Sequence, residues 1–197
     1  MSHQSKSQTF REEGNKLYRT TQIDGLPPVI LRGRLEKTMI CYRHALDWSV
    51  NSMEKSSSLK NIALTSIKLF KVLLNMGERK STTEYYLNDG IQSFDLALDH
   101  GLSGGQEQQW SNDVCERYME SIDSLFHHLV TKNTKDQIQM LEEIASKLKN
   151  EQAKSRILRE TARISSGLPL EPQVDTGPSL SPGEASPIYK EPQLKEV

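Results

Sequence analysis

The sequence predicts an all-α fold, because apolar residues recur along most of the chain at spacings of three and four. No run of alternating apolar and polar residues, the pattern of a half-buried β-strand, competes with that helical period. Stretches rich in glycine and proline separate the periodic segments. The chain has 197 residues, a length typical of one domain or of one domain with a tail.

Six helices follow from these spacings. In chain order they span residues 6–22, 33–54, 56–76, 81–100, 105–131 and 134–165. The pair Pro27-Pro28 predicts a loop before helix 2. Gly77 and Gly101 follow helices 3 and 4, where the left-handed backbone that glycine adopts easily ends many helices.

Gly14 lies inside helix 1, although glycine in a helix interior costs roughly 1 kcal/mol relative to alanine. A glycine is tolerated there most readily where a second helix comes very close. We therefore expect helix 2 to approach helix 1 at Gly14, so that packing offsets the low helix propensity.

An internal repeat supports this interpretation. The segments CYRHALDWS at 41–49 and SFDLALDHG at 93–101 align without gaps at a spacing of 52 residues. Each places an aromatic residue three positions before an alanine, which is the pattern of a helical packing face with a small residue where another backbone approaches. The chain is thus predicted to contain at least two helix–loop–helix units.

The Gly-Asn pair followed by Leu-Tyr at 14–18, and the later Tyr-x-x-Ala-Leu, resemble the tetratricopeptide repeat. In that family each unit is a pair of antiparallel helices, and the units stack into a right-handed superhelix with a concave peptide-binding groove. The matching positions of the two units are Gly14, Tyr42, Ala45 and Leu46, then Ala63, Phe94, Ala97 and Leu98. The family's repeat has about 34 residues, so the resemblance implies lengthened connections.

The resemblance divides the chain into three parts. Residues 6–101 hold two divergent repeat units, and 102–165 hold a C-terminal helical pair that is either a degenerate repeat or a cap. Six of the eight prolines fall in 166–197, whose polar composition predicts a disordered tail. Ser181 and Ser186 each precede a proline there and are candidate sites for proline-directed kinases, although an inert linker is an equal alternative.

One subset of the family binds the C-terminal carboxylate of heat-shock chaperones. By resemblance, Arg11, Asn15 and Asn61 occupy the positions of its basic and asparagine contacts. The subset also uses a lysine and an arginine from a third unit, for which Arg117 is the one remote candidate here. The alternative role for Asn15, beside a glycine, is a hydrogen bond to the neighbouring backbone.

Other functional classes lack a signature. The net charge of −1 argues against a nucleic-acid-binding protein, which needs a basic face. The adjacent His127 and His128 point to different sides of a helix, so we expect solvent or edge positions rather than a metal site. No nucleophile stands with a positioned base, and no cofactor motif is present, so catalysis is not predicted. No apolar run approaches the length of a membrane span.

The chain has two cysteines without ligand or disulfide spacing, which favours a reducing cytoplasmic environment and leaves a nuclear one open. We expect a protein–protein adaptor or scaffold, co-chaperone-like in binding a peptide C-terminus or a helix along helices 1 and 3. The alternatives are a structural subunit assembled through helices 5 and 6 and, further off, a small helical enzyme. A fragment of a longer repeat protein is a further possibility, since two units are few for a solenoid.

Overall fold

The structure, a computed structural model, describes residues 5–170. This part of the chain forms seven helices and no strand, which confirms the all-α prediction. In chain order the helices are α1 Lys6–Arg19, α2 Pro28–Asp47, α3 Ser52–Asn75, α4 Lys80–Gly104, α5 Gln108–Leu129, α6 Thr134–Lys147 and α7 Glu151–Ser165. None of these described helices is both long enough and apolar enough to cross a membrane.

The start and end of predicted helix 2 are both shifted in the structure. It begins at Pro28, which the sequence had placed in a loop, because proline is tolerated in a first turn whose N–H groups have no intrahelical acceptor. It ends at Asp47 rather than near residue 54, since Asn51 already caps the following helix by accepting from the backbone N–H of Glu54 at 2.8 Å.

The glycines after helices 3 and 4 have different roles. Gly77 has a φ of 68°, so the left-handed position predicted after α3 is confirmed. Gly101 does not end α4, which continues to Gly104 and closes at the left-handed Gly105. A Cβ at Gly101 would lie 2.5 Å from the Trp110 ring, so this glycine serves close packing of α4 on α5 rather than a helix end.

The single helix predicted for 134–165 is wrong, because Leu148 is extended and Asn150 caps a new helix, α7. The cause lies on α4, where Asp95 accepts the backbone N–H groups of Lys149 and Asn150, each at 2.8 Å. These charge-assisted bonds give an acceptor to two backbone N–H groups that have no partner within α7, because they precede its first turn. The C-terminal part therefore contains three helices rather than the predicted pair.

Helices α1 to α5 each pack against the next as antiparallel neighbours. Contacts between α1 and α2 run from Ser7–Ser49 at the start of α1 to Thr20–Arg34 after its end. The same reversal relates α3 to α4 and α4 to α5. Alternate helices also touch in order, α1 with α3, α3 with α5 and α5 with α7. The odd-numbered helices therefore share one side of the stack.

Helix α4 is tied to its neighbours by two aspartates. Asp89 accepts from Arg43 of α2 at 3.0 Å and from the Ser66 hydroxyl of α3 at 2.5 Å. Asp95 is only 2% exposed and also accepts from the Tyr118 hydroxyl of α5 at 3.1 Å. Burial and the nearby carboxylate raise the pKa of Tyr118, so that its hydroxyl stays a donor.

A third polar cluster joins α4 to the end of α5. Glu84 pairs with Lys132 and lies 3.4 Å from Nε2 of His128, whose side chain is only 10% exposed. Of the two adjacent histidines, for which the sequence predicted solvent or edge positions, His127 is exposed and His128 is partly buried, with its ring in a T-shaped contact with Phe70. Burial lowers the pKa of His128, Lys132 and Lys80 lower it further, and Glu84 acts in the opposite direction.

Acidification from about pH 7.5 to 5.5 is expected to lower the free energy of unfolding through His128. Unfolding restores a histidine pKa of about 6.5, so below that pH the unfolded chain binds more protons than the folded one. One such proton contributes a slope of at most about 1.4 kcal/mol per pH unit. Burial raises the pKa of Glu84, but Lys132 and His128 together lower it below its usual value, so the contribution of Glu84 is lost only at lower pH, below about 4.3.

Urea unfolding across this pH range, for the native chain and for His128→Gln, measures the effect. The matched control is His127→Gln, which changes the exposed neighbour. We expect His128→Gln to flatten the slope between about pH 5.5 and 6.5 and the control to keep it. An equal slope in all three proteins contradicts the assignment to His128.

Candidate functional site

Three clefts join into one groove along α3, between α1 and α5. Their volumes are about 510, 390 and 410 Å³ for the first, middle and third cleft. Lys60 and Trp110 line both the first and the middle cleft, and Leu64 and Arg117 line both the middle and the third. This surface, the α3 groove, follows roughly five turns of α3, or about 27 Å.

The first cleft contains all three residues that the sequence assigned to peptide binding. Arg11 and Asn15 come from successive turns of α1, and Asn61 comes from α3. The Asn61 amide donates to Asn15 Oδ1 at 3.3 Å, and the Tyr42 hydroxyl donates to the same oxygen at 2.8 Å. Asn15 thus bonds to side chains of α2 and α3 and still lines the cleft, and its predicted contact with a peptide stays a prediction.

The internal hydrogen bonds determine which amide atoms face a ligand. Asn15 Oδ1 already accepts twice, which orients its Nδ2 amino group as the free donor of that side chain. Burial raises the pKa of Tyr42, which keeps the hydroxyl protonated as the donor that holds Asn15 in place. Tyr42 therefore acts as a positioning residue for the first cleft.

Two cationic side chains face the same cleft. Arg11 Nη1 is buried and has no hydrogen-bond acceptor among the described residues. Burial lowers the pKa of Lys60, Asp113 raises it and the charge of Arg11 lowers it. A partly desolvated lysine beside an arginine with an unpaired buried donor is stabilised by any anion that reaches both. The cleft is therefore suited to a carboxylate or another oxyanion.

The middle and third clefts have an apolar floor and a charged rim. The floor is built from the side chains of Leu64, Ile67, Phe94, Trp110 and Val114. Lys68 donates to the carbonyl oxygen of Thr21 at 2.9 Å and lies above the Tyr18 ring, so it is held at the α1 side. Arg117 pairs with Glu120 on the opposite α5 side, where both side chains are more than half exposed.

The sequence predicts a binding face on helices 1 and 3, whereas in the structure α5 supplies the second wall of the groove. Trp110 and Lys60, which directly precedes Asn61, line the groove but were not among the predicted contacts. Lys60 is not part of a recognisable motif. Its position directly before Asn61, a predicted peptide contact, is the sequence signal that could have identified it. Arg117, named as a remote candidate, lines the middle and third clefts.

The predicted repeat positions lie in the interior. The structure buries Gly14, Tyr42, Ala45, Ala63, Phe94, Ala97 and Leu98, and it leaves Leu46 partly buried between the two core clusters. These residues hold the helix pairs together and none of them lines the first cleft. The predicted phosphorylation sites Ser181 and Ser186 lie outside the described residues, as does all of the predicted tail after Leu170.

Comparison of the chain with models of known protein families, with curated proteins and with solved structures finds no significant match. Within residues 5–170, no group of three or more histidine, cysteine, aspartate and glutamate side chains is arranged to hold a metal ion. The geometry and charge of the α3 groove are therefore the features of this chain that point to a function.

Proposed function

We propose that this protein is a non-catalytic intracellular adaptor that binds an extended peptide segment of another protein in the α3 groove, in the manner of tetratricopeptide repeats. The observation that supports this proposal is the convergence of Arg11, Asn15 and Asn61, from two separate helices, in one cleft. Arginine and amide donors together suit a peptide carboxylate, either a C-terminus or an acidic side chain.

The alternative of a structural subunit requires the apolar stripes of helices 5 and 6 at an interface with another chain. Those stripes are already buried in the core of this chain. Their residues are each no more than 2% exposed, namely Val114, Ile122, Leu125, Leu141 and Ile144. The α3 groove, by contrast, is open and combines an apolar floor with charged rims. This distribution supports an adaptor rather than an assembly through helices 5 and 6.

Arg11→Ala is expected to weaken the binding of acidic peptides with a free C-terminal carboxylate by about tenfold or more. A hydrogen bond to a charged group contributes about 1.5–3 kcal/mol, and each 1.4 kcal/mol is tenfold in affinity. Isothermal titration with the full chain, using a short acidic peptide and its C-terminally amidated form, measures the loss. Lys60→Ala is expected to act in the same direction.

The matched control is Lys16→Ala, which removes a cation from the same helix α1 at an exposed position outside the groove lining. It should leave affinity within about twofold, because an exposed charge is screened by salt. Equal affinities for the native chain, Arg11→Ala and Lys16→Ala would remove the proposed site. Failure of every acidic peptide to bind would remove the proposed function.

A further inference from the structure

Positive charge is distributed unevenly along the α3 groove. In the first cleft the cations Arg11 and Lys60 face one carboxylate, Glu54. That carboxylate is already engaged, since it accepts from the Ser5 hydroxyl at 2.8 Å and from the backbone N–H of Val50 at 3.0 Å. This end of the groove therefore keeps an excess of positive charge for a ligand.

The middle cleft is electrically balanced. Its cations Lys60 and Arg117 are matched by the carboxylates of Asp113 and Glu116 on the α5 wall. Asp113 lies close enough to Lys60 for its charge to raise the pKa of that lysine. An acidic ligand residue placed over the middle cleft would meet these two carboxylates, whereas an apolar one would meet Leu64 and the other floor residues.

The third cleft is positive again. Lys68, Lys71 and Arg117 line it against the single carboxylate of Glu120, which pairs with Arg117. Lys71 is exposed at the rim, and Lys68 is held by Thr21 with part of its donor capacity left for a ligand. Lys60 is shared by the first and middle clefts and Arg117 by the middle and third, so five cations and four carboxylates line the groove as a whole. The unshared cations Arg11, Lys68 and Lys71 lie at its two ends, and the carboxylates of Asp113 and Glu116 lie in its partly apolar middle.

The distance between the two ends sets the spacing of the ligand's charges. Lys60 lies eight residues before Lys68 and eleven before Lys71 on α3, which corresponds to about 12–16 Å at 1.5 Å per residue. An extended peptide advances about 3.3 Å per residue. Four or five residues of such a peptide therefore cover the same length.

From this charge pattern we propose that the α3 groove selects an extended segment with two acidic residues four or five positions apart and non-acidic, preferably apolar, residues between them. The inference rests on the proposed peptide-binding function and specifies the ligand. One acidic side chain pairs with Arg11 and Lys60, and the other pairs with Lys71 and Arg117. The carboxylates of Asp113 and Glu116 disfavour a continuous acidic run.

Fluorescence anisotropy with labelled ten-residue peptides and the full chain tests the proposal. Both peptide termini are blocked, so that only side-chain carboxylates contribute. One peptide carries two glutamates five positions apart around a leucine, a second has the same composition with adjacent glutamates, and a third has glutamate at every position between the two ends. The spaced peptide is expected to bind about tenfold more tightly than either of the others.

Two sets of variants assign the effect to the groove. Lys71→Ala and Arg117→Ala are expected to reduce affinity for the spaced peptide severalfold and to leave the adjacent-glutamate peptide almost unchanged. Asp113→Asn combined with Glu116→Gln is expected to improve the continuous acidic peptide and so to remove most of the preference. Lys16→Ala serves again as the control that changes net charge outside the groove.

The outcomes separate this inference from the function on which it rests. Binding that depends on Arg11 but is equal for the spaced and adjacent peptides overturns the spacing rule and leaves the peptide-binding function standing. A preference that survives Asp113→Asn with Glu116→Gln overturns the role of the middle cleft. No binding of any peptide, including those with a free C-terminus, overturns both.

Discussion

Replacing Asp95 with alanine is expected to destabilise the folded chain by about 3 kcal/mol or more, because each buried donor left without an acceptor costs about 1–3 kcal/mol. The carboxylate is almost fully buried and accepts three hydrogen bonds, from two backbone N–H groups and the Tyr118 hydroxyl. Its loss leaves all three donors without an acceptor in an interior that water does not reach easily. The backbone donors belong to Lys149 and Asn150 at the α6–α7 break.

Urea or thermal unfolding measures this loss, and the neighbouring Asp99 provides the control. Asp99 lies one turn further along α4 and pairs with Lys149 Nζ at 2.8 Å, with both side chains well exposed. Water and salt screen an exposed ion pair so that it adds little to stability, and Asp99→Ala should therefore have little effect. Similar losses for the two substitutions would show that Asp95 does not hold α7 in place.

Gly14→Val is expected to destabilise the chain by about 2–3 kcal/mol, because the space beside Gly14 is filled. A Cβ built there would lie 2.5 and 2.7 Å from two carbons of the Tyr42 ring. The ring cannot withdraw at low cost, since Tyr42 is 2% exposed and its hydroxyl is bonded to Asn15. Overpacking of a well-filled interior typically costs about 1–3 kcal/mol.

Gly33→Ala is the matched control for the backbone effect of losing a glycine. Gly33 lies inside α2, and a Cβ there would meet nothing within 4 Å. This substitution should stabilise the chain by up to about 1 kcal/mol through helix propensity alone. Chemical denaturation of both variants separates propensity from packing. A stabilising Gly14→Val would contradict the close approach of α1 and α2.

The Gly14 variant also tests the link between packing and the binding site. Because Tyr42 orients Asn15, displacement of its ring should weaken peptide binding in the first cleft even where the domain stays folded. A Tyr42→Phe variant separates the two effects, since it keeps the ring and removes the hydroxyl. We expect Tyr42→Phe mainly to weaken peptide binding. Titration of the native chain and of the variant, under conditions where both are fully folded, measures this loss.

Helix content was predictable because it depends on neighbours three and four residues away. The apolar period, the small residue at position 14 and the left-handed Gly77 are all local signals, and the structure agrees with each. Helix ends were less predictable where a residue has two compatible roles. Pro28 can stand in a loop or in a first turn, and Gly101 can end a helix or receive an aromatic ring.

The break between α6 and α7 and the shape of the groove depend on contacts between residues far apart in the chain. Asp95 interrupts a helix more than fifty residues later in the chain, and no sequence pattern near Leu148 predicts that interruption. Arg11 and Lys60 meet in one cleft only because α1 and α3 lie side by side in the stack. Periodicity identifies which side of a helix is apolar, but stacking decides which polar sides face each other, because that choice is made by the packing free energy of whole helix pairs.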